Sequence, residues 1–131
     1  MRAKSIRVNT RLKQQVSVRE HRLTVDEPED EGGDDAGPSP QELLAASLAS
    51  CTAITMEMYA NRKGWDVGEM TVDVQYEPAQ RGSPTRFVMN VNMSKELPED
   101  QRERLMQIAA KCPVHRALES EVMFDEKVTL I

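Results

Sequence analysis

The chain has 131 residues and a formal net charge of −5, with 39% hydrophobic and 30% charged residues. This length favours one domain and argues against a second independent one. The longest weakly polar stretch, residues 43–60, contains Glu57 and many Ser, Thr and Ala, a composition that we interpret as too polar for a transmembrane helix. We therefore expect a soluble protein with no membrane partner.

Aromatic residues are scarce: the chain has one Trp, two Tyr and two Phe, beside eight Met. Large aromatic side chains normally supply much of the buried area of a small core. A monomer of this composition would be only modestly stable, so we predict a homodimer in which a second copy completes the core.

The chain contains two cysteines, Cys51 and Cys112. The N-terminal residues are basic, but no apolar segment follows them, so they do not resemble a signal peptide. We expect a cytoplasmic protein. In that reducing compartment, two thiols are more readily explained as core residues, a metal half-site or a redox pair than as a structural disulfide.

Charge is unevenly distributed near the N-terminus. Residues 1–22 carry seven Lys or Arg and one acid, whereas residues 23–42 carry eight acids and no base. The basic segment has no aromatic residue that could stack on bases, so we expect no nucleic-acid partner. Its apolar residues alternate instead, which predicts three strands; they are Ile6 and Val8, Val16 and Val18, and Leu23 and Val25. Residues 26–37, rich in acids, Gly and Pro, are predicted to form a long exposed loop.

The strongest local signal is a helix start at Ser39. A capping Ser, Pro40 at the first helical position and Glu42 at the third form a capping box. The helix is predicted to end at Lys63, before Gly64. One apolar stripe follows steps of four and three residues, through Leu44, Leu48, Cys51, Thr55 and Met58. Small residues flank this stripe, so the helix is predicted to be central.

The remaining pattern completes an α+β domain. Residues 70–76 and 87–93 alternate and predict an antiparallel hairpin with a turn near Gly82. A second helix begins after Pro98 and is interrupted by Pro113, after which residues 114–119 form a further turn and residues 122–131 a last strand. The apolar face of the second helix comprises Leu105, Ile108, Ala109 and Cys112.

On pattern alone, both cysteines are explained as buried core residues. Cys112, however, would be the N-cap of a new turn that starts at Pro113, where free N–H groups favour a thiolate. A zinc site through Cys112 and His115 would need about four ligands, with only Cys51 and His21 as further soft candidates. We therefore expect no metal and no cofactor.

Several motifs together resemble the family of osmotically inducible protein C and the organic hydroperoxide resistance proteins. The resemblance spans nearly the whole chain. It is carried by Asp26-Glu-Pro, by Gly37-Pro-Ser-Pro-Gln-Glu-Leu-Leu-Ala-Ala-Ser-Leu-Ala-Ser-Cys51, by Tyr59-Ala-Asn-Arg-Lys-Gly-Trp65 and by Cys112-Pro-Val-His115. It implies an intertwined α+β homodimer, with a long central helix packed on antiparallel sheets and sites at the subunit interface.

The resemblance also implies a thiol-dependent peroxidase acting on organic hydroperoxides, and less well on hydrogen peroxide. Cys51 would attack the peroxide, Cys112 would resolve the sulfenic acid as a disulfide, and a dithiol would restore both thiols. A non-enzymatic protein that binds a small ligand is the alternative. Met56, Met58 and Met89 could line an apolar pocket, although core filling explains them better.

Family members hold the peroxidatic thiolate with an N-terminal arginine and a helix carboxylate. Arg11 lies nearest the expected arginine position, with Arg7 or Arg22 as alternatives. Gln41 occupies the expected carboxylate position and Glu42 follows it, about 100° further around the helix. Arg11 and Glu42 are therefore further candidate catalytic residues, although the capping box by itself also explains Glu42.

Overall fold

The computed structural model describes residues 1–130, which fold as an α+β protein with antiparallel sheets. Its strands and helices, in chain order, are β1 (Lys4–Arg7), β2 (Gln14–Val18), β3 (His21–Val25), α1 (Pro40–Lys63), β4 (Met70–Glu77), β5 (Arg86–Met93), α2 (Glu99–Ala109) and α3 (Pro113–Glu119). The described residues group into two compact units, one of residues 1–46 and 75–88 and one of residues 47–74 and 89–130. The prediction of one domain for the whole chain stays a prediction.

The first unit contains the three-stranded antiparallel sheet β1-β2-β3, as the alternating pattern predicted. Val16 is the Cα partner of Ser5 on one side and of Leu23 on the other. Ile6 is 53% exposed, and Val25 is the only residue of these strands that is fully buried. The apolar face of this sheet is thus only partly covered.

The acidic segment after β3 was predicted to be an exposed loop, but it folds around one buried carboxylate. Asp26 is buried, and its carboxylate accepts hydrogen bonds from the backbone N–H groups of Glu27, Asp34 and Ala36 at 2.9–3.2 Å. Burial opposes ionisation, but these three N–H donors and the nearby Arg11 charge lower the pKa of Asp26. The prediction of a wholly exposed loop is therefore wrong at Asp26, around which the segment folds.

Both ends of α1 lie where the sequence predicts them. At the start, the Ser39 hydroxyl accepts from the Glu42 N–H at 3.2 Å, and the Glu42 carboxylate accepts from the Ser39 N–H at 2.9 Å. At the end, Gly64 has φ +70°, its N–H donates to Asn61, and the Trp65 N–H donates to the Ala60 carbonyl at 2.9 Å. These are a capping box and a Schellman motif.

The buried face of α1 differs from the predicted stripe. Its fully buried residues follow steps of four, at Leu48, Thr52, Met56 and Ala60. Met58, which was predicted to lie on the apolar stripe, is 61% exposed. The predicted and the buried rows share Leu48 and then diverge, because hydropathy does not specify which side of the helix the rest of the chain covers. Met56 fills the core of the second unit, which confirms the core-filling role preferred for it.

By length and composition, α1 is apolar enough to cross a membrane, so the view that this segment is too polar was wrong. One such helix is weak evidence, because a core helix of a soluble protein has the same composition. Only 28% of its most apolar window is buried within the chain. The helix therefore presents a large apolar surface.

The second unit forms a compact core around α1 and α2. Its buried residues include Met56, Ala60, Val67, Leu105 and Ala109. As predicted, Pro98 precedes α2, whose apolar face contains Leu105, Ile108 and Ala109. The predicted hairpin is also confirmed, since β4 and β5 pair with each other and Gly82 has φ +81° in the turn between them.

The predicted last strand is wrong over residues 122–130, and residue 131 lies outside the described residues. Residues 121–130 form no regular secondary structure. Phe124 is 78% exposed and Leu130 is 94% exposed. A strand forms only where a neighbouring strand satisfies its backbone, and alternation alone does not supply that neighbour.

Candidate active site

The structure brings Cys51 and Cys112 together in the second unit. Cys51 lies in the middle of α1, and Cys112 lies between α2 and α3. Both are free thiols, and they lie near each other. Sixty-one positions of sequence separate the two sulfurs, yet they form one site.

Cys112 is completely buried and is the N-cap of α3, as the sequence predicts. Its Sγ accepts a hydrogen bond from the His115 N–H at 3.2 Å. The Thr52 hydroxyl lies 3.8 Å from the same sulfur. The Cys112 carbonyl accepts from the Arg116 N–H, so the cysteine caps the helix through both its side chain and its backbone.

Cys51 is only partly buried, so solvent reaches it while Cys112 is closed off. Burial raises the pKa of the Cys51 thiol, and the hydrogen bond and charge of Cys112 raise it further. Hydrogen bonds from the Val114 N–H and the Thr55 side chain act in the opposite direction. Within this chain, burial and Cys112 outweigh these two donors.

The first turn of α3 supplies one backbone donor to each sulfur. Pro113 has no N–H, so the first two donors belong to Val114 and His115. The His115 N–H bonds to Cys112 at 3.2 Å, and the Val114 N–H lies near Cys51 and lowers the pKa of its thiol. Sequence reasoning identified Cys112 as a cap but missed Val114, Thr52 and Thr55. The two threonines, one and four positions after Cys51, were the available signal.

The other candidate residues, Arg11 and Glu42, belong to the first unit, where each has local partners. The Arg11 guanidinium forms an ion pair with Asp34 at 2.5 Å and donates to the Gly32 carbonyl at 2.7 Å. Glu42 is bound to Ser39 in the capping box, and its pKa is lowered by those hydrogen bonds. The carboxylate that holds Arg11 is thus Asp34 and not Glu42.

His115 has a partner on its own helix, since its Nδ1 contacts the carboxylate of Glu119. Within residues 1–130, no group of three or more His, Cys, Asp or Glu side chains is arranged to hold a metal ion. The geometry instead offers the chemistry of two neighbouring thiols, the accessible one of Cys51 and the buried one of Cys112.

Comparison with known proteins identifies the family to which the chain belongs. The family model described as OsmC-like protein matches residues 32–127. An uncharacterised protein of Haloferax volcanii is 27% identical over 97 residues, which is 72% of this chain and 74% of that protein.

Two crystal structures of bacterial proteins show the same fold. A Psychrobacter arcticus protein named for osmotic stress induction and detoxification has a TM-score of 0.75 at 24% identity, over 88% of this chain and 85% of that one. An organic hydroperoxide resistance protein of Legionella pneumophila has a TM-score of 0.62 at 20% identity, over 88% and 86%. The chain belongs to the OsmC family, whose members are generally soluble and include organic hydroperoxide resistance proteins.

Proposed function

We propose that this protein is a thiol-dependent peroxidase that reduces organic hydroperoxides, and hydrogen peroxide less well. The observation that carries the proposal is the proximity of Cys51 and Cys112, with the first turn of α3 beside both sulfurs. Family membership supports a redox role in hydroperoxide resistance.

The difference in exposure assigns the two roles. A peroxide can approach Cys51, which is partly exposed, but not Cys112, which has no exposed surface. Cys51 is therefore the peroxidatic residue. Cys112 is the resolving residue, because its buried thiol is beside the reacting sulfur and is protected from the peroxide until Cys51 has been oxidised.

The reaction then proceeds in three balanced steps. The Cys51 thiolate attacks the distal oxygen of the hydroperoxide, the O–O bond breaks, and the alkoxide leaves and takes a proton to become the alcohol. Cys112 attacks the resulting sulfenic sulfur, a disulfide forms, and the sulfenic oxygen leaves as water. An external dithiol is oxidised to its disulfide as it returns two electrons and two protons to Cys51 and Cys112.

The raised pKa of Cys51 means that the thiolate needs more positive charge than the Val114 N–H and Thr55 provide. We carry forward the prediction that Arg11 is a catalytic residue, and we propose that Asp34 is the carboxylate that fixes it within the first unit. Glu42 is then needed for helix capping, while its catalytic role remains the prediction made from sequence.

The same raised pKa favours a second candidate, a non-enzymatic protein that binds a small ligand and whose thiols are structural. Such a protein would have slowly reacting thiols and would be stabilised by its ligand. Rapid catalytic consumption of peroxide excludes this candidate.

We further propose that the working form is a cytoplasmic homodimer. In the single chain, Ile54 and Met58 on α1 are each more than half exposed. The C-terminal residues Phe124 and Leu130 are almost wholly exposed. Exposed apolar surface of this extent is typical of a face that a partner covers, and a second copy is the partner that the family resemblance implies.

Mass spectrometry tests the peroxidase proposal directly. The fully reduced protein is treated with one equivalent of cumene hydroperoxide, and an intramolecular Cys51–Cys112 disulfide is expected, with loss of two hydrogen atoms. C51S should show no change, whereas C112S should retain one oxygen atom as a sulfenic acid that dimedone traps. An unchanged mass of the wild-type protein would rule out the proposal.

A further inference from the structure

Three cationic side chains surround one aromatic ring in the second unit. The Arg62 and Arg104 guanidinium carbons lie 5.8 and 5.5 Å from the centroid of the Tyr59 ring, and the Lys63 Nζ lies 5.6 Å from it. We call these four residues the Tyr59 cluster. Arg62 and Lys63 come from the last turn of α1, whereas Arg104 comes from α2.

The hydroxyl of Tyr59 is oriented by Arg104. The Arg104 Nε–H donates to the Tyr59 oxygen at 3.1 Å, so the hydroxyl proton points away from the guanidinium. No acceptor for that proton occurs within residues 1–130. Nη1 of Arg104 is occupied by Gln107 at 3.1 Å, while Nη2 has no partner in the same part of the chain. The cluster therefore presents unused donors together with its charge.

Within the described residues 1–130, no carboxylate forms an ion pair with this charge. None of the ion pairs formed within residues 1–130 includes Arg62, Lys63 or Arg104. This is notable in a chain with 22 acids and 17 bases. The dipole of α1 accounts for Arg62 and Lys63 at its C-terminal end, but it does not account for Arg104, which α2 contributes.

We propose that the Tyr59 cluster is a binding site for a phosphate group. The cluster has three positive charges from two helices, with a guanidinium and a hydroxyl as free donors, and the dianionic charge of a phosphate group suits such a concentration of positive charge. The hydrogen bond from Arg104, opposed by burial and helped by the three charges, also lowers the pKa of Tyr59, as expected in a strongly positive environment. The site is separate from the cysteine pair and does not depend on the proposed peroxidase activity.

Isothermal titration with inorganic phosphate tests the proposal on the full chain, at an ionic strength held constant with chloride. Wild-type protein is expected to bind one phosphate, and R104Q to bind it about tenfold more weakly, since it loses one charged donor. R102Q is the matched control, because it makes the same charge change on α2 outside the cluster. Y59F, which keeps the ring but loses the hydroxyl, should weaken binding by about threefold.

A second arm uses glycerol phosphate. Affinity equal to that of inorganic phosphate assigns the site to the free ion, and tighter binding assigns it to a phosphate ester; both results support the proposal. Absence of binding by the wild-type protein overturns it. Equal weakening in R104Q and R102Q also overturns it, because net charge alone would then explain the interaction. C51S should bind phosphate as the wild type does, which separates this proposal from the redox one.

Discussion

The Thr52 hydroxyl lies 3.8 Å from Sγ of Cys112, on the buried row of α1 and one position after Cys51. Thr55, four positions after Cys51, is hydrogen bonded to Cys51 itself. One helix thus carries the first cysteine and a hydroxyl for each sulfur. The two threonines give a means to perturb the two cysteines separately.

T52V and T55V should affect different steps of the reaction. T52V removes the hydroxyl near Cys112 and should slow disulfide formation by about fivefold. This factor corresponds to the free energy of one ordinary hydrogen bond. T55V should slow peroxide attack at Cys51 by a similar factor. Rapid-mixing kinetics followed by Trp65 fluorescence separates the two steps. If both variants slowed the same step, the assignment of the threonines would be incorrect.

The rate of peroxide attack should rise with pH. The attacking species is the thiolate, and burial together with Cys112 raises the pKa of Cys51. Below that pKa the thiolate fraction grows about tenfold per pH unit, so the rate should level off only above the ordinary pKa of a free cysteine. If the rate of peroxide attack did not change between about pH 6 and pH 8, the Cys51 thiol would already be ionised over that range.

Removing Cys112 should lower the pKa of Cys51. The hydrogen bond and the charge of Cys112 both raise that pKa in the wild-type protein. In C112A these two contributions are absent, and the thiolate absorbance of Cys51 should appear at lower pH than in the wild type. Circular dichroism checks that α3 persists without its cap. The opposite shift would mean that Cys112 donates to the Cys51 thiolate.

The double variant I54E/M58E should shift the protein from dimer to monomer. Both side chains are exposed on α1, and burying two carboxylates against a partner's apolar face would cost several kcal/mol. Sedimentation velocity measures the change. A wild-type protein that is monomeric at all concentrations would contradict the homodimer.

D26N should lower the melting temperature at neutral pH. The Asp26 carboxylate accepts three backbone N–H bonds, and an amide replaces one of its two acceptor oxygens with a donor. Because the folded pKa of Asp26 is lowered, its stabilising effect is present above the unfolded pKa and is lost as pH falls through the folded value. Thermal melts between neutral and acidic pH should therefore converge for D26N and the wild type. D30N, in the neighbouring turn, should melt as the wild type does.

Local signals explain which parts of the fold could be predicted. The start of α1 at Ser39 and its end before Gly64 depend on residues that are neighbours in sequence, so their chemistry alone was sufficient. The N-cap role of Cys112 follows in the same way from Pro113. The buried row of α1 and the contact of Val114 with Cys51 depend on packing between elements, which periodicity does not specify.

The C-terminal segment shows where a sequence pattern is not sufficient to predict structure. Residues 122–130 alternate as a strand would, but strand formation needs a pairing edge, which the described part of the chain does not provide for them. The Arg11–Asp34 pair was missed for a related reason, since the ordered path of the acidic loop places Asp34 beside Arg11. The expected carboxylate was sought on the helix.

The capping of α3 has a consequence for how the redox state could be read out. The His115 N–H donates to the Cys112 sulfur and the Arg116 N–H to the Cys112 carbonyl, while the Val114 N–H lies near Cys51. A Cys51–Cys112 disulfide would draw the two sulfurs together and away from these N–H groups, so oxidation would weaken two of the three contacts that begin this helix. The amide protons of Val114 and His115 would then exchange faster with solvent. Hydrogen exchange in this seven-residue helix would therefore show whether the two cysteines are reduced or oxidised.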